Sequence, residues 1–425
     1  MLEWLGDSQV STELGKVPLT YNLKILETDM AGSMPFPASV SARPVDRAAA
    51  TTAAIPWYVW CSVIAVTSAM VGTHWDISWH RSIGRDTFWT PAHIAIYMCG
   101  VLAGVSCGFL ILSTTFGTHA PLREASVKIW GFRGPLGAFI AAWGGVAMIT
   151  SAPLDDWWHN AYGLDVKILS PPHVLLIMGM VGVQLGALIL ILGQMNRVTD
   201  QARAKLEWLF LYVSAMIVVC IMILIFEYEL RPYMHSAFPY RVLAIAVPGI
   251  LAAVSRASGR RWAASIVIGM YSLFLIGCVW ILPLFPAMPK LGPVYQNVTH
   301  FIPPEFPLLL IVPALALDWL WARTANWKLW QQSVVSGAVF LCLMVAVQWP
   351  FASFLMSPAS RNWVFGTTYF DYNLRPNDFY VRHMFFQVEK TSTVFWTEMA
   401  AALGLAMLTT RLGFGWGNWM RRIRR

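Results

Sequence analysis

Charge is scarce in this sequence. Only 12% of its 425 residues are Asp, Glu, Lys or Arg, against roughly a quarter in a soluble domain, while 57% are hydrophobic. So much apolar surface has no aqueous home, and a soluble globular fold is excluded. Cysteines at ligand spacing are missing as well. Cys61, Cys99, Cys107, Cys220, Cys278 and Cys342 all fall inside apolar runs, and no two form a CxxC; they read as packing residues, not as metal ligands or disulfides. No flavin or Fe–S motif is visible. Nor is a cleavable signal peptide, because residues 1–54 are polar and mixed before the first apolar run.

What fills the chain is a series of apolar runs near the roughly 18–20 residues needed to cross a hydrocarbon core. They predict spans near 55–72, 91–115, 134–152, 171–193, 208–227, 238–255, 262–283, 304–322, 332–355 and 393–413. The expected fold class is therefore an all-α, polytopic integral membrane protein of about ten transmembrane helices. It divides into an N-terminal cytoplasmic segment (1–54), a four-helix region (55–195), and about six further helices (196–425) with a long outer loop at 356–392. The 22 Trp and 13 Tyr suit residues that straddle a membrane interface.

The net charge of +8 does not point to nucleic acid, because the basic residues sit in short clusters between apolar runs. With the N-terminal segment inside, about twenty of the thirty Lys and Arg fall on the inner face and about ten on the outer. The inner clusters are Arg123/Lys128/Arg133, Arg197/Arg203/Lys205, Arg256/Arg260/Arg261, Arg323/Lys328 and the tail Arg421, Arg422, Arg424, Arg425. By the positive-inside rule both termini are cytoplasmic, as expected of an inner (cell) membrane protein. Eight of the nine histidines, His74, His80, His93, His159, His173, His235, His300 and His383, then fall at the outer face, and His119 inside.

Spacing organises these histidines. The first outer loop reads HWDISWHRSIGRDTFWTPAH and the second DDWWHNAYGLDVKILSPPH. Both contain D-x2-W-H-x3-G-x-D followed by a proline-led approach to a last histidine. The matched residues are Asp76/Asp155, Trp79/Trp158, His80/His159, Gly84/Gly163, Asp86/Asp165 and His93/His173, with one residue inserted in the second copy; this is an internal repeat. Asp76 and His80 are four apart, as are Asp155 and His159, so each pair projects from one face of a helical extension. Pro91 and Pro171 mark the start of the next helix, with His93 and His173 in its first turn. Each copy can thus gather one carboxylate and two imidazoles at the outer boundary. That donor set suits Cu, Zn or Fe(II) and leaves a position open for water, dioxygen or substrate. Asp/His pairs at helix ends also cap amides or bridge helices, but the duplication favours metal. His74, Asp86, Asp156 and Asp165 are candidates to support the ligands from behind; Asp86 and Asp165 are placed as acceptors for imidazole N–H groups, as N-caps or as loop salt bridges. Asp156 is also a rival ligand to Asp155, although on a helix only Asp155 shares a face with His159.

The first triad, Asp76-x3-His80-x12-His93 with Arg85-Asp86-Thr87 and Thr90-Pro91 embedded, resembles a metal-binding signature in the C subunit of the copper membrane monooxygenases, the particulate methane and ammonia monooxygenases. The second, Asp155-x3-His159-x13-His173, resembles that subunit's other copper site, where the family usually has Asn at the carboxylate position. The resemblance covers about residues 55–195. It implies two neighbouring copper sites near the periplasmic side, dioxygen activation, and oxygen insertion into a small hydrocarbon or ammonia. Other membrane subunits and an electron donor, a quinol or another chain, are the partners it implies. Two features depart from the family: Asp155 itself, and a continuation longer than a typical C subunit. There is also no His-rich cupredoxin-like domain. Two other functions use the same residues: a metal or proton transporter with the Asp/His sites as relay stations, and a haem-bearing electron-transfer subunit.

Beyond the repeat, Glu227, Glu229, Arg231 and His235, then His300 and Glu305, lack the repeated spacing and suit structural or interfacial roles ahead of an outer gate or a further ligand set. Trp363, Tyr369, Phe370, Asp371, Tyr372, Tyr380 and His383 make the loop 356–392 aromatic-rich, suited to lying on the interface, capping the site or binding a partner. The charge asymmetry generates a direct test. A reporter fused after Arg425 is expected to be active only if it works in the cytoplasm; activity of a periplasm-only reporter there would reverse the topology.

Overall fold

The computed structural model describes residues 54–84, 87–118, 120–163, 170–198, 200–225, 235–289, 298–355, 357–368 and 389–424. Thr51–Arg425 forms one compact unit. The described residues hold eleven α-helices and one short hairpin. The helices are α1 (Trp57–Ser82), α2 (Pro91–Phe116), α3 (Ala120–Glu124), α4 (Leu136–Tyr162), α5 (Pro171–Met195), α6 (Asp200–Ile225), α7 (Ala237–Ser258), α8 (Ala263–Ile281), α9 (Ile311–Arg323), α10 (Leu329–Leu355) and α11 (Ser392–Met420). Strands β1 (Val127–Ile129) and β2 (Phe132–Gly134) pair antiparallel between α3 and α4, with Val127 opposite Gly134. The fold is all-α and polytopic: α2, α4, α5, α6, α7, α8, α10 and α11 are long and apolar enough to cross a membrane.

Helix is the outcome that lipid imposes, since hydrocarbon holds no water to satisfy backbone amides and carbonyls. Large apolar side chains on the outer surface, such as Val105, Phe109 and Leu273, are exposed in the isolated chain and meet lipid in the membrane. α1 has 26 residues and α4 has 27, about 39–40 Å at 1.5 Å per residue. Both are longer than a hydrocarbon core of about 30 Å, although α1, on which the expected span at 55–72 falls, is not among those eight. The last turns of the two helices carry the Asp/His pairs.

α1, α2, α4 and α5 form a closed ring, each packing on the next and α5 returning to α1. The ring is tight because small residues let backbones meet. A Cβ added at Gly72 would lie 2.8 Å from Ile96 N on α2, and one added at Gly144 would lie 2.6 Å from Val183 N on α5. The C-terminal helices pack alongside, with α6 against α5, α1 and α8, and α7 against α11.

The expected span at 304–322 takes a different form. Residues 301–308 are not helical, and α9 has only 13 residues, about 20 Å. Pro303, Pro304 and Pro307 explain the break: each lacks an N–H and disfavours helix in the residue before it. Ile302, Leu308 and Leu310 are nonetheless buried, and side chains satisfy the broken backbone. Ser78 Oγ donates to Ile302 O at 2.6 Å, Ile302 N donates to Ser82 Oγ at 2.7 Å, and Leu309 N donates to Gln348 Oε1 at 3.1 Å.

The α4–α5 contact sets a stability expectation. Gly144→Ala places a methyl against the α5 backbone and should destabilise the detergent-solubilised protein by about 1–3 kcal/mol. Gly108→Ala, where an added Cβ meets nothing within 4 Å, should be neutral or stabilising by up to about 1 kcal/mol. Thermal unfolding of the two variants side by side checks both signs.

Candidate metal centres

The repeat places its residues at two equivalent junctions. α1 rises to Asp76 and His80 and stops, and α2 begins at Pro91; α4 rises to Asp155 and His159 and stops, and α5 begins at Pro171. The matched glycines terminate the ascending helices. Gly84 has φ 99° and Gly163 φ 87°, a region that an L side chain rarely adopts. Gly163 N still donates to His159 O at 3.0 Å, and Gly84 N to Trp79 O at 3.3 Å. The descending helices start at Thr90-Pro91 and Ser170-Pro171, with proline where no intrahelical donor is needed. Ser170 Oγ accepts from His173 N at 3.4 Å, fixing that first turn. His93 and His173 are therefore the third residues of their helices.

The ligand atoms converge. Asp76 Oδ1 lies 3.2 Å from His93 Nε2, and Asp76 Oδ2 lies 3.8 Å from His80 Nε2. In the second centre Asp155 Oδ1 is 3.5 Å from His173 Nε2, and Asp155 Oδ2 is 3.5 Å from His159 Nε2. Within each triad all three ligand atoms lie within 4.8 Å of one another. Metal–ligand bonds of about 2.0–2.2 Å in tetrahedral geometry require ligand atoms roughly 3.3–3.6 Å apart, so both triads can hold a metal ion. Asp76 Oδ1 gives a further sign of fit: it is buried and accepts no hydrogen bond of good geometry, a state that is costly unless a cation sits beside it. Each carboxylate also faces the first turn of a helix, whose N-terminal partial charge favours an anion.

The two centres lie at the same end of the ring. Thr73 Oγ1 on α1 reaches Met180 Sδ on α5 at 3.7 Å. Thr73 is three residues below Asp76 and Met180 seven below His173, about 4.5 Å and 10.5 Å along the two helices. Beside the first centre, Tyr97 lies 5.8 Å from the His93 ring and Phe88 lies 5.2 Å from Tyr97. Beside the second, Trp158 packs at 4.6 Å on Tyr162.

The other candidates go elsewhere. His74 turns away from the triad: its Nδ1 meets Met70 O at 2.8 Å and its ring packs edge-on against Phe274. Asp156 is exposed, and Asn160 Nδ2 donates to its Oδ2 at 3.4 Å, so the helix directs Asp155 to the site and Asp156 off it. His235 Nε2 meets Ser353 Oγ at 2.9 Å, and His300 Nδ1 meets Thr299 Oγ1 at 2.9 Å. Trp363 packs on Trp280, with ring centres 5.3 Å apart. Asp86, Asp165, Glu227, Glu229, Arg231, Tyr369, Phe370, Asp371, Tyr372, Tyr380 and His383 lie outside the described residues.

Sequence reasoning missed the back of α1. Arg81, next to His80, pairs with buried Glu305 at 3.0 Å, and Ser78 and Ser82 clamp Ile302. The available signal was the pair of serines four apart, on the side of α1 away from its ligands.

The expected consequence of this geometry is that Asp155→Asn weakens divalent-metal binding at the second centre by at least about tenfold, while Asp156→Asn leaves it unchanged. Chelator competition on the two variants decides; the reverse order would shift the ligand by one residue. No family model, no curated protein and no solved structure matches this chain.

Proposed function

We propose that this protein is a copper-dependent membrane monooxygenase, or the metal-bearing subunit of one, that oxidises a small hydrocarbon or ammonia with dioxygen. The observation that carries the reading is the pair of two-His, one-carboxylate triads with ligand atoms already gathered at one end of a four-helix ring. Copper held there would supply the reduction of dioxygen. The chain's own residues do the rest. Asp76 and Asp155 each face two imidazoles and balance the charge of the ion. The helix starts at Thr90-Pro91 and Ser170-Pro171 aim His93 and His173 back toward the helix that precedes them. Three ligands leave coordination open, and the apolar helices around the ring admit an apolar substrate from lipid. Oxygen insertion consumes two electrons and two protons beyond the substrate, so a quinol or a partner chain is the donor and further membrane subunits complete the enzyme. With the basic clusters inside, the centres belong to the periplasmic side of the inner membrane and both termini to the cytoplasm.

One observation favours transport. A helix broken within the membrane, as before α9, is common in transporters. Here, however, Glu305 pairs with Arg81, and Ile302 and Leu309 bond to serine and glutamine side chains. The metal ligands themselves sit at the ends of continuous helices.

Metal analysis of the full chain in nanodiscs tests the proposal. Two copper equivalents and no haem Soret band are expected. His80→Ala/His93→Ala should remove one equivalent and His159→Ala/His173→Ala the other, and turnover under labelled dioxygen should place one labelled atom in the product. Unchanged stoichiometry in both double variants would return the triads to a structural role, and a bound metal other than copper would remove the monooxygenase assignment.

A further inference from the structure

The two centres share ligands and spacing, but their surroundings differ. Aligning the copies pairs Ser78 with Trp157, Arg81 with Asn160 and Ser82 with Ala161. In the first copy these positions face protein. Ser78 and Ser82 are buried and hold both the carbonyl and the amide of Ile302; Arg81 pairs with Glu305; Trp79 packs on Phe301 with ring centres 5.9 Å apart. Four residues within two positions of His80 are thus tied to one short segment, 301–305, from the other half of the chain. In the second copy, among the described residues, the corresponding face of α4 is exposed: Trp157 is 54% exposed, and Asp156, Asn160 and Ala161 are exposed too.

We infer that residues 301–305 are a strap that positions the ligand-bearing turn of α1, so that the first centre is held rigid by the C-terminal half of the protein and the second is not. Glu305, Ser78 and Ser82 are positioning residues: they touch no ligand atom and act through the helix turn that carries Asp76 and His80. The strap suits this task because Pro303 and Pro304 stiffen it, and because its freed backbone groups must bond to side chains at membrane depth, which fixes it to α1 at several points. A turn held at four points loses little freedom when a metal binds, whereas the open turn of α4 must be ordered at that moment. The first centre is accordingly the preorganised, slowly exchanging one, and the second the adaptable one. The assignment of metal to the triads is the proposed function above; the mechanical tie of the strap to α1 stands apart from it.

The test separates the two. Hydrogen exchange on the metal-free full chain reads the strap alone: Glu305→Gln should speed exchange in the last turns of α1 and leave those of α4 unchanged. Copper affinity then reads its consequence, with one centre studied at a time. In a His159→Ala/His173→Ala background, Glu305→Gln should weaken Cu(II) binding at the first centre by roughly tenfold and shift its EPR hyperfine splitting, with Glu305→Asp partly restoring both. In a His80→Ala/His93→Ala background the same substitution should change nothing. Ser78→Ala, which removes the clamp without leaving an unpaired charge, supplies the same readout if Glu305→Gln fails to fold. Equal weakening of both centres, or no change in α1 exchange, would overturn the strap. Failure of the parent chain to bind copper, with the exchange difference intact, would overturn the metal assignment and leave the strap standing.

Discussion

In hydrocarbon a backbone amide or carbonyl has only the protein itself to bond to, and this requirement shapes everything else in the molecule. It makes each apolar run a helix. It confines helix ends, where four donors or four acceptors are left over, to the membrane boundary or to places where side chains can reach. The Asp/His triads, each able to hold a metal ion, stand at paired helix ends. The strap at 301–305 is a place of the second kind, where Ser78 and Ser82 bond the carbonyl and the amide of Ile302. Both features answer the same electrostatic demand.

Much of this was legible in the chain. Apolar runs located the helices because lipid leaves little else for such runs to form, and the i, i+4 spacing of Asp76 with His80 and of Asp155 with His159 paired these side chains because a helix fixes their direction over so short a distance. The same rule separates Asp155 from Asp156, and the structure shows the latter exposed. The tertiary half of each site, in which His93 comes back to Asp76 and His173 to Asp155, was legible only because [ST]-P-x-H marks a helix start.

What was not legible is long-range. A window of apolar residues at 304–322 cannot distinguish a span from an unwound segment followed by a half-length helix, since hydropathy ignores the prolines that decide it. Nothing local to Arg81 names Glu305, which lies 224 residues away. His74 shows the same limit: proximity in sequence to Asp76 says little when two residues along a helix is more than half a turn, and its ring packs against Phe274.

The two centres also have a polymer-physics consequence. An ion bound in either triad is a cross-link joining the end of one helix to the start of the next, closing a loop of 12 residues between His80 and His93 and of 13 between His159 and His173. The entropy of closing such loops scales with the logarithm of their length, so the two differ by less than about 0.1 kcal/mol. With donor atoms and loop entropies so nearly matched, the chain carries its own internal standard: whatever separates the two centres thermodynamically is a measure of the walls around them.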